Sequence, residues 1–332
     1  MKIIEVIADS GHHDTIKGIA EQQNVADIWF GAENEDGRIS TRLLVAPENR
    51  QAVIDALQSV LSTAENAHIM IIPLEAALPK EDEGSETEKD RKKTASTITR
   101  EEIMARVEKG AQLNSNYILL VLLSSVVAAI GLLENNVAVI IGAMVIAPLL
   151  GPNIAFSLGT ALGESKLIGQ SLTALFIGVA LAILVSLGIG WFWPAGFDSY
   201  ELMSRTDVQY SSTAIALASG AAASLSLVAG TSGVLVGVMV AVALMPPAVT
   251  IGLMLSAGEP GHALGAALLL AVNIVCINLS SKLVFLVKGI KPRTWLEARK
   301  VQQSRMMYII IWIILLALLF VIIYLRHQTL AT

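Results

Sequence analysis

Residues 137–163 read VAVIIGAMVIAPLLGPNIAFSLGTALG, without a single charged side chain. At about 1.5 Å per residue such a run is long enough to cross a hydrocarbon core of about 30 Å. Its middle holds Pro148, Gly151 and Pro152, with Asn153 directly after them. Proline removes a backbone donor and its ring clashes with the preceding turn, so a helix here is kinked or split. The carbonyls this releases are tolerated at membrane depth only where protein or a water-filled cavity satisfies them. The break therefore serves either helix packing or a site for a solute, and both readings stay open.

The rest of the chain agrees with this stretch. Over 332 residues, 54% are hydrophobic and 15% charged, with a mean hydropathy of +0.64, which is far from a soluble composition. Further hydrophobic segments lie at 117–133, 168–193, 213–229, 233–257, 263–287 and 306–325, giving about seven in all. Basic residues gather before the first segment (Arg91, Lys92, Lys93, Arg100, Arg106, Lys109) and between the last two (Lys288, Lys291, Arg293, Arg299, Lys300, Arg305). Both regions are therefore expected in the cytoplasm, and the C-terminus outside. The loop 194–210 carries Asp198, Glu201 and Asp207 beside Trp191 and Trp193, which suits the outer face.

Sliding the hydrophobic part against itself by about 95 residues reveals a repeat. Gly142 meets Gly237, Met144 meets Met239, Pro152 meets Pro247, and Gly163-Glu164 meets Gly258-Glu259. The second copy of the break is Met245-Pro246-Pro247. Three crossings per copy would invert the second copy relative to the first, the plan of many transporters. Pro152 and Pro247 would each open a new half-helix, whose N-terminus favours an anion or carbonyl while the facing C-terminus favours a cation. If 137–163 were instead a re-entrant hairpin, each copy would cross twice and the copies would be parallel. The length of that segment favours full crossing.

The first part of the chain follows other periods. Residues 2–8 and 38–45 alternate as strands, residues 26–31 and 67–74 read as two more, and helices are expected over 14–23 and from Pro47 onward, with Val53, Ile54, Leu57 and Leu61 on one face. Strand-helix-strand twice over is the ferredoxin-like split unit. His12 and His13 fall in its first turn and read as solvated. The expected organisation is a ferredoxin-like α/β cytoplasmic domain at 1–78, a charged flexible linker at 79–97 and an amphipathic helix at 98–115. A membrane all-α domain follows at 116–290, with three-helix repeats 116–193 and 212–288 whose second and fifth helices are broken by proline. A basic interfacial segment at 291–305 and a final transmembrane helix at 306–326 complete it.

Few polar residues fall inside the apolar segments. Thr250, Asn273 and Asn278 join Pro148, Gly151, Pro152, Asn153, Met245, Pro246 and Pro247 as the candidate substrate pathway, although buried asparagines also bond neighbouring helices. Lys282 is expected to snorkel to the interface. No Asp or Glu lies at mid-membrane depth, so the carboxylate of a coupled pump is lacking. A lone Cys276 and no clustered His argue against a metal or redox cofactor, and no nucleophile or phosphate-binding motif points to an enzyme. The net charge of −5 argues against nucleic acid as a partner.

The stretch NSNYILLVLLSSVVAAIGLLENNVAVIIGAMVIAPLLGPNIAFSLGTALG, residues 114–163, resembles the bacterial membrane family called domain of unknown function 389, most specifically at IGAMVIAPLLGP. The likeness runs over about residues 110–290 and implies a membrane domain preceded by a soluble α/β region, without naming a substrate. The three-plus-three-plus-one plan is also similar to that of trimeric intracellular cation channels, in topology only. The expectation is a homo-oligomeric channel or facilitator for an ion or small solute in a bacterial inner membrane, gated by the N-terminal domain. The alternative is a membrane-anchored sensor whose α/β domain binds a small ligand without transport.

Overall fold

A computed structural model of the chain describes residues 2–62, 64, 66–74, 99–192, 196–230, 234–290 and 310–324, with the backbone alone at 234–239 and 242. The expected linker at 79–97, the basic segment at 291–305 and Trp193 lie outside the described residues. The chain divides into two compact units, Met1–Arg100 and Glu101–Thr332.

In the first unit, β1 (Lys2–Asp9) pairs antiparallel with β3 (Arg38–Val45) on one side and β4 (His68–Pro73) on the other, while β2 (Asp27–Glu33) pairs with β3. The sheet order is β2-β3-β1-β4, as a split β-α-β-β-α-β unit requires. Alternation along β1 turns Ile4, Val6 and Ala8 to one face. They pack there against Ile16 and Ile19 of α1 (His13–Gln22) and Val53, Ile54 and Leu57 of α2 (Arg50–Leu61). On the opposite face the Glu5 carboxylate accepts from Ser40 Oγ at 2.7 Å and Arg42 Nε at 2.8 Å, bonds that hold its pKa below the ordinary value. Two expectations change. α2 begins at Arg50, because residues 47–49 form a turn that Pro47 leads into. His13 opens α1, with its ring 3.9 Å from that of Phe30.

The second unit is helical. After α3 (Arg100–Ala111) come α4 (Ser115–Leu133), α5 (Val137–Ile146), α6 (Leu150–Leu162), α7 (Ser165–Phe192), the single turn α8 (Tyr200–Met203), α9 (Tyr210–Ala229), α10 (Val234–Ser256), α11 (Pro260–Val287) and α12 (Ile310–Tyr324). Asn114 caps α4 by accepting the Tyr117 N–H at 2.8 Å, and Asn136 caps α5 through Val139. Among the described residues four helices, α4, α7, α9 and α11, are long and apolar enough to cross a membrane; α5 with α6 makes a fifth if the bent pair is one span. The fifth and seventh segments read from the sequence contain shorter apolar helices, Ala243–Ser256 and Ile310–Tyr324.

The two proline sites differ. Ala147 stands before Pro148 and is extended (φ −63°, ψ 120°), because the proline ring disfavours helical backbone in the preceding residue. The axis bends by 53° between α5 and α6. In contrast, α10 runs without interruption through Pro246 and Pro247, so the fifth helix is not broken as expected, and Pro247 does not open a half-helix. The reason lies in α11. A proline at 247 cannot donate to the carbonyl four residues back, that of Ala243, and Asn273 Nδ2 donates to this carbonyl instead, at 2.8 Å.

Contacts at the helix ends fix their company. Ser199 Oγ donates to the carbonyl of Leu132 at the end of α4, and the Glu201 N–H donates to Asn135 Oδ1 at 3.0 Å, so the loop after α7 lies on the end of α4. Gly190 near the end of α7 faces Ser256 at the end of α10. Arg106 of α3 reaches the carbonyl of Gly230, which ends α9, at 3.3 Å. In the interior α10 packs on α7 and α11, α6 on α7 and α11, and α9 on α11.

Candidate functional site beside the broken helix

The bend places the first turn of α6 inside the bundle. Pro152 and Asn153 are buried, Pro148 and Gly151 half-buried. Asn153 is fully buried, as is Ser157 one turn later, and both face Asn278 of α11. Asn278 Nδ2 donates to Asn153 Oδ1 at 2.5 Å and to the carbonyl of Ile274 at 2.8 Å, while Ser157 Oγ donates to Asn278 Oδ1 at 2.5 Å. Three polar side chains from two helices thus meet within an apolar interior, where each hydrogen bond is stronger than in water and each unmade one costs more.

The cluster is incomplete on one side. Among the described residues Asn153 Nδ2 is buried without a hydrogen-bond partner, and so are Thr250 Oγ1 on α10 and Asn273 Oδ1 on α11. Native interiors leave few such groups, and each asks for a cause such as a bound solute or water. Asn273 is tied to Ala243 through its amide nitrogen, which identifies the lone atom as its oxygen.

Of the residues singled out from the sequence, the structure brings Asn153 and Asn278 into direct contact, and links Asn273 to the turn ahead of Met245, Pro246 and Pro247. These three are buried in α10 together with Thr250, and none of them bonds to the Asn153 cluster. Gly151 faces the other way. A Cβ built on it would stand 2.2 Å from the carbonyl oxygen of Gly110, so the end of α3 approaches α6 backbone to backbone.

Three residues of the site escape sequence reasoning. Ser157 follows Asn153 by four positions, the spacing that puts two side chains on one helix face, and this signal was available. Lys282 does not snorkel as expected: it is 3% exposed, with Nζ 5.0 Å from the centre of the Trp312 ring. Trp312 in turn meets Phe156 edge to face at 5.9 Å, so α12 covers α6 and α11 beside the cluster. Nothing local in an apolar terminal helix marks Trp312 as a cover for a lysine.

Comparison with known proteins agrees with this helical core. The family described as domain of unknown function DUF389 matches residues 144–279, a span that includes the bend, the Asn153 cluster and α10. An uncharacterized protein of the archaeon Methanocaldococcus jannaschii is 32% identical over 297 residues, covering 89% of this chain and 91% of the relative. The family is therefore not confined to bacteria, as the sequence reading had it. No solved structure matches. A match over 89% of the chain reaches into both the N-terminal and the helical unit, and the chain belongs to the DUF389 family.

Proposed function

We propose that the chain is an integral membrane channel or facilitator for an ion or small solute, with its pathway beside the α5–α6 bend. The observation that carries this reading is the fully buried Asn153–Asn278–Ser157 cluster, whose Asn153 Nδ2 has no hydrogen-bond partner among the described residues. A purely structural helix bundle would leave that position apolar, since an unmatched amide in its interior costs about 1–3 kcal/mol.

The architecture supports it through duplication. α4 and α9 begin about 95 residues apart, and so do α7 and α11, at both of their ends. Asn135 and Gly230, at the same displacement, both take positive φ (56° and 71°) after the first helix, and Gly163 and Gly258 (76° and 74°) do so after the second. Even the closing bonds correspond: Glu164 N–H to Gly159 O and Glu259 N–H to Met254 O, each at 2.9 Å. Chance likeness among apolar residues does not produce matched left-handed positions. The packing is reciprocal too, with α10 against α7 of the first triplet and α6 against α11 of the second.

The direction of the copies follows from the end contacts. Ser199 and Glu201, shortly after α7, bond to the end of α4, so α4 and α7 finish on one side and α5–α6 must return across the membrane between them. α10 finishes beside the end of α7, while α9 finishes beside α3, which precedes α4. The second triplet thus runs opposite to the first, which favours full crossing and inverted repeats over a re-entrant hairpin. Basic residues near α3 and after α11 support a cytoplasmic side for those ends. Catalysis forms no part of this reading, and the N-terminal unit serves as the gate.

Purified full-length protein in liposomes tests it. Flux of small ions or solutes above that of empty vesicles is expected, and labelling of intact cells by an impermeant thiol reagent is expected at a cysteine replacing Ser199 but not at one replacing Ser165, with Cys276 removed. Flux equal to empty vesicles for every solute tried leaves the membrane-anchored sensor as the better account.

A further inference from the structure

The helices α1 and α2 cover one face of the N-terminal sheet, and the other face carries a pattern of its own. Residues directly opposite each other on paired strands point to the same side, so the strand registers give this face as rows. The middle row is Trp29, Arg42, Glu5 and Met70, across β2, β3, β1 and β4. Leu44, Ile3 and Ile72 form the row on one side of it, and Ser40, Ile7 and His68 the row on the other.

The face is more apolar than water alone explains. An antiparallel sheet that turns one side to solvent alternates apolar inward with polar outward. Here Trp29, Met70 and Ile72 are 37%, 39% and 37% exposed, and Ile3, Ile7 and Leu44 are half-buried beside them. A contiguous apolar patch of this kind marks an interaction surface.

The charges on the face indicate what covers it. From edge to edge the middle row reads apolar, positive, negative, apolar, with Arg42 and Glu5 on the two central strands. Lay a second copy face to face on the first, about a twofold axis that runs along the strands between β3 and β1, and the row meets its own reverse. Arg42 then stands over Glu5 of the second copy, and Trp29 over its Met70, a ring against a thioether. In the next row Leu44 meets Ile3. Arg42 is equipped for such a contact, because its side chain is half exposed and only its Nε is engaged among the described residues, by Glu5 of its own chain at 2.8 Å. Its terminal nitrogens remain to reach a second carboxylate. Asp27, opposite Leu44 on the edge strand, would stand over Ile72, but its carboxylate accepts from the Ile28 N–H at 2.8 Å and lies at the wet rim. An occupant of one charge sign would match one of the two central charges and repel the other.

We propose that this open face is a homodimer interface, in which two copies of the chain pack sheet to sheet about that twofold axis. The interface does not depend on transport by the helical unit.

Cross-linking of full-length chains in membranes, with Cys276→Ala throughout, tests it. Packed sheets lie about 10 Å apart, whereas opposite edges of one four-stranded sheet are about 14 Å apart in the plane. A thiol cross-linker spanning about 8 Å should therefore join a copy carrying Trp29→Cys to a differently tagged copy carrying Met70→Cys. The yield is expected to be about tenfold above that between two copies that both carry Trp29→Cys. Both substitutions lie on edge strands and leave the central charges in place. Adding Arg42→Glu to both copies sets like charges against each other and should lower the mixed yield about tenfold. Placing Glu5→Arg in one copy and Arg42→Glu in the other sets opposite charges against each other again, and the yield should return, which also shows that both variants fold. Equal yields from mixed and like pairs overturn the twofold arrangement and leave the face to another occupant. A mixed yield unchanged by Arg42→Glu, or one not recovered in the charge-matched pair while the sheet amides stay protected from hydrogen exchange, overturns it as well. If the charge variants unfold, the comparison of mixed with like pairs decides alone.

Discussion

Both units bury apolar side chains, but they differ in the polar residues buried among them. In the N-terminal unit the interior is Ile, Val and Leu, and polar groups such as Glu5 and Arg42 lie on the far face of the sheet. In the helical unit many large apolar residues point outward, Phe176 at 74% and Leu184 at 63% exposure, and the fully buried Leu132, Leu149 and Phe285 share the interior with Ser124, Asn153, Ser157, Ser186 and Asn278. In water, burial of apolar surface drives folding. In lipid that force between helices vanishes, and close backbone approach with hydrogen bonds between helices takes its place. The contrast teaches that the same word, core, names a largely apolar centre in one unit and an apolar interior threaded by a polar seam in the other.

The sharpest way to break this comparison is to enlarge a glycine in the seam. A Cβ on Gly252 would stand 2.1 Å from Ser186 Oγ and 2.3 Å from the Ile183 carbonyl, and one on Gly220 2.6 Å from the Ile277 carbonyl. Gly252→Leu is expected to abolish a monodisperse fold in detergent, while an equal enlargement at the open position Gly169 leaves it intact; size-exclusion chromatography reads both. In the N-terminal unit the damaging change is the reverse. Leu57→Ala removes a fully buried side chain and should cost about 2–5 kcal/mol, seen as faster hydrogen exchange of the sheet amides.

A smaller effect sharpens the account of α10. Asn273→Ala leaves the Ala243 carbonyl without a partner and should cost about 1–3 kcal/mol in thermal unfolding. In a Pro247→Ala background the restored N–H can serve that carbonyl, so the same substitution should cost much less. Equal costs in both backgrounds would mean that the bond is incidental. The smallest effect belongs to Glu5. Its pKa is lowered in the folded state, so its contribution is present above the unfolded carboxylate value and lost as pH falls through the folded one. Glu5→Gln should cost no more than about 1 kcal/mol at pH 7, and nothing once the wild-type carboxylate is protonated, as unfolding at stepped pH would record.

Much of this was legible because local periods carry it. Alternation located the four strands to within a residue or two, and hydrophobic length located α4, α7, α9 and α11. Pro148 announced its own break, since the residue before a proline resists helical backbone. Pro246 and Pro247 misled because their consequence is decided elsewhere in the chain, by Asn273. Lys282 misled for the same reason: an exposed path to the interface was assumed, and a tryptophan about 30 positions later closes it. Sequence spacing reports what a residue does to its own helix, and not what a partner helix does in return.

The bond from Asn273 to Ala243 also has a mechanical side. It splints α10 at its prolines, whereas the site at Pro148 stays bent, and α10 is thereby a strut while α5 and α6 form an elbow at Ala147. A load along the bundle would thus meet a ready bend at one proline site and a continuous rod at the other.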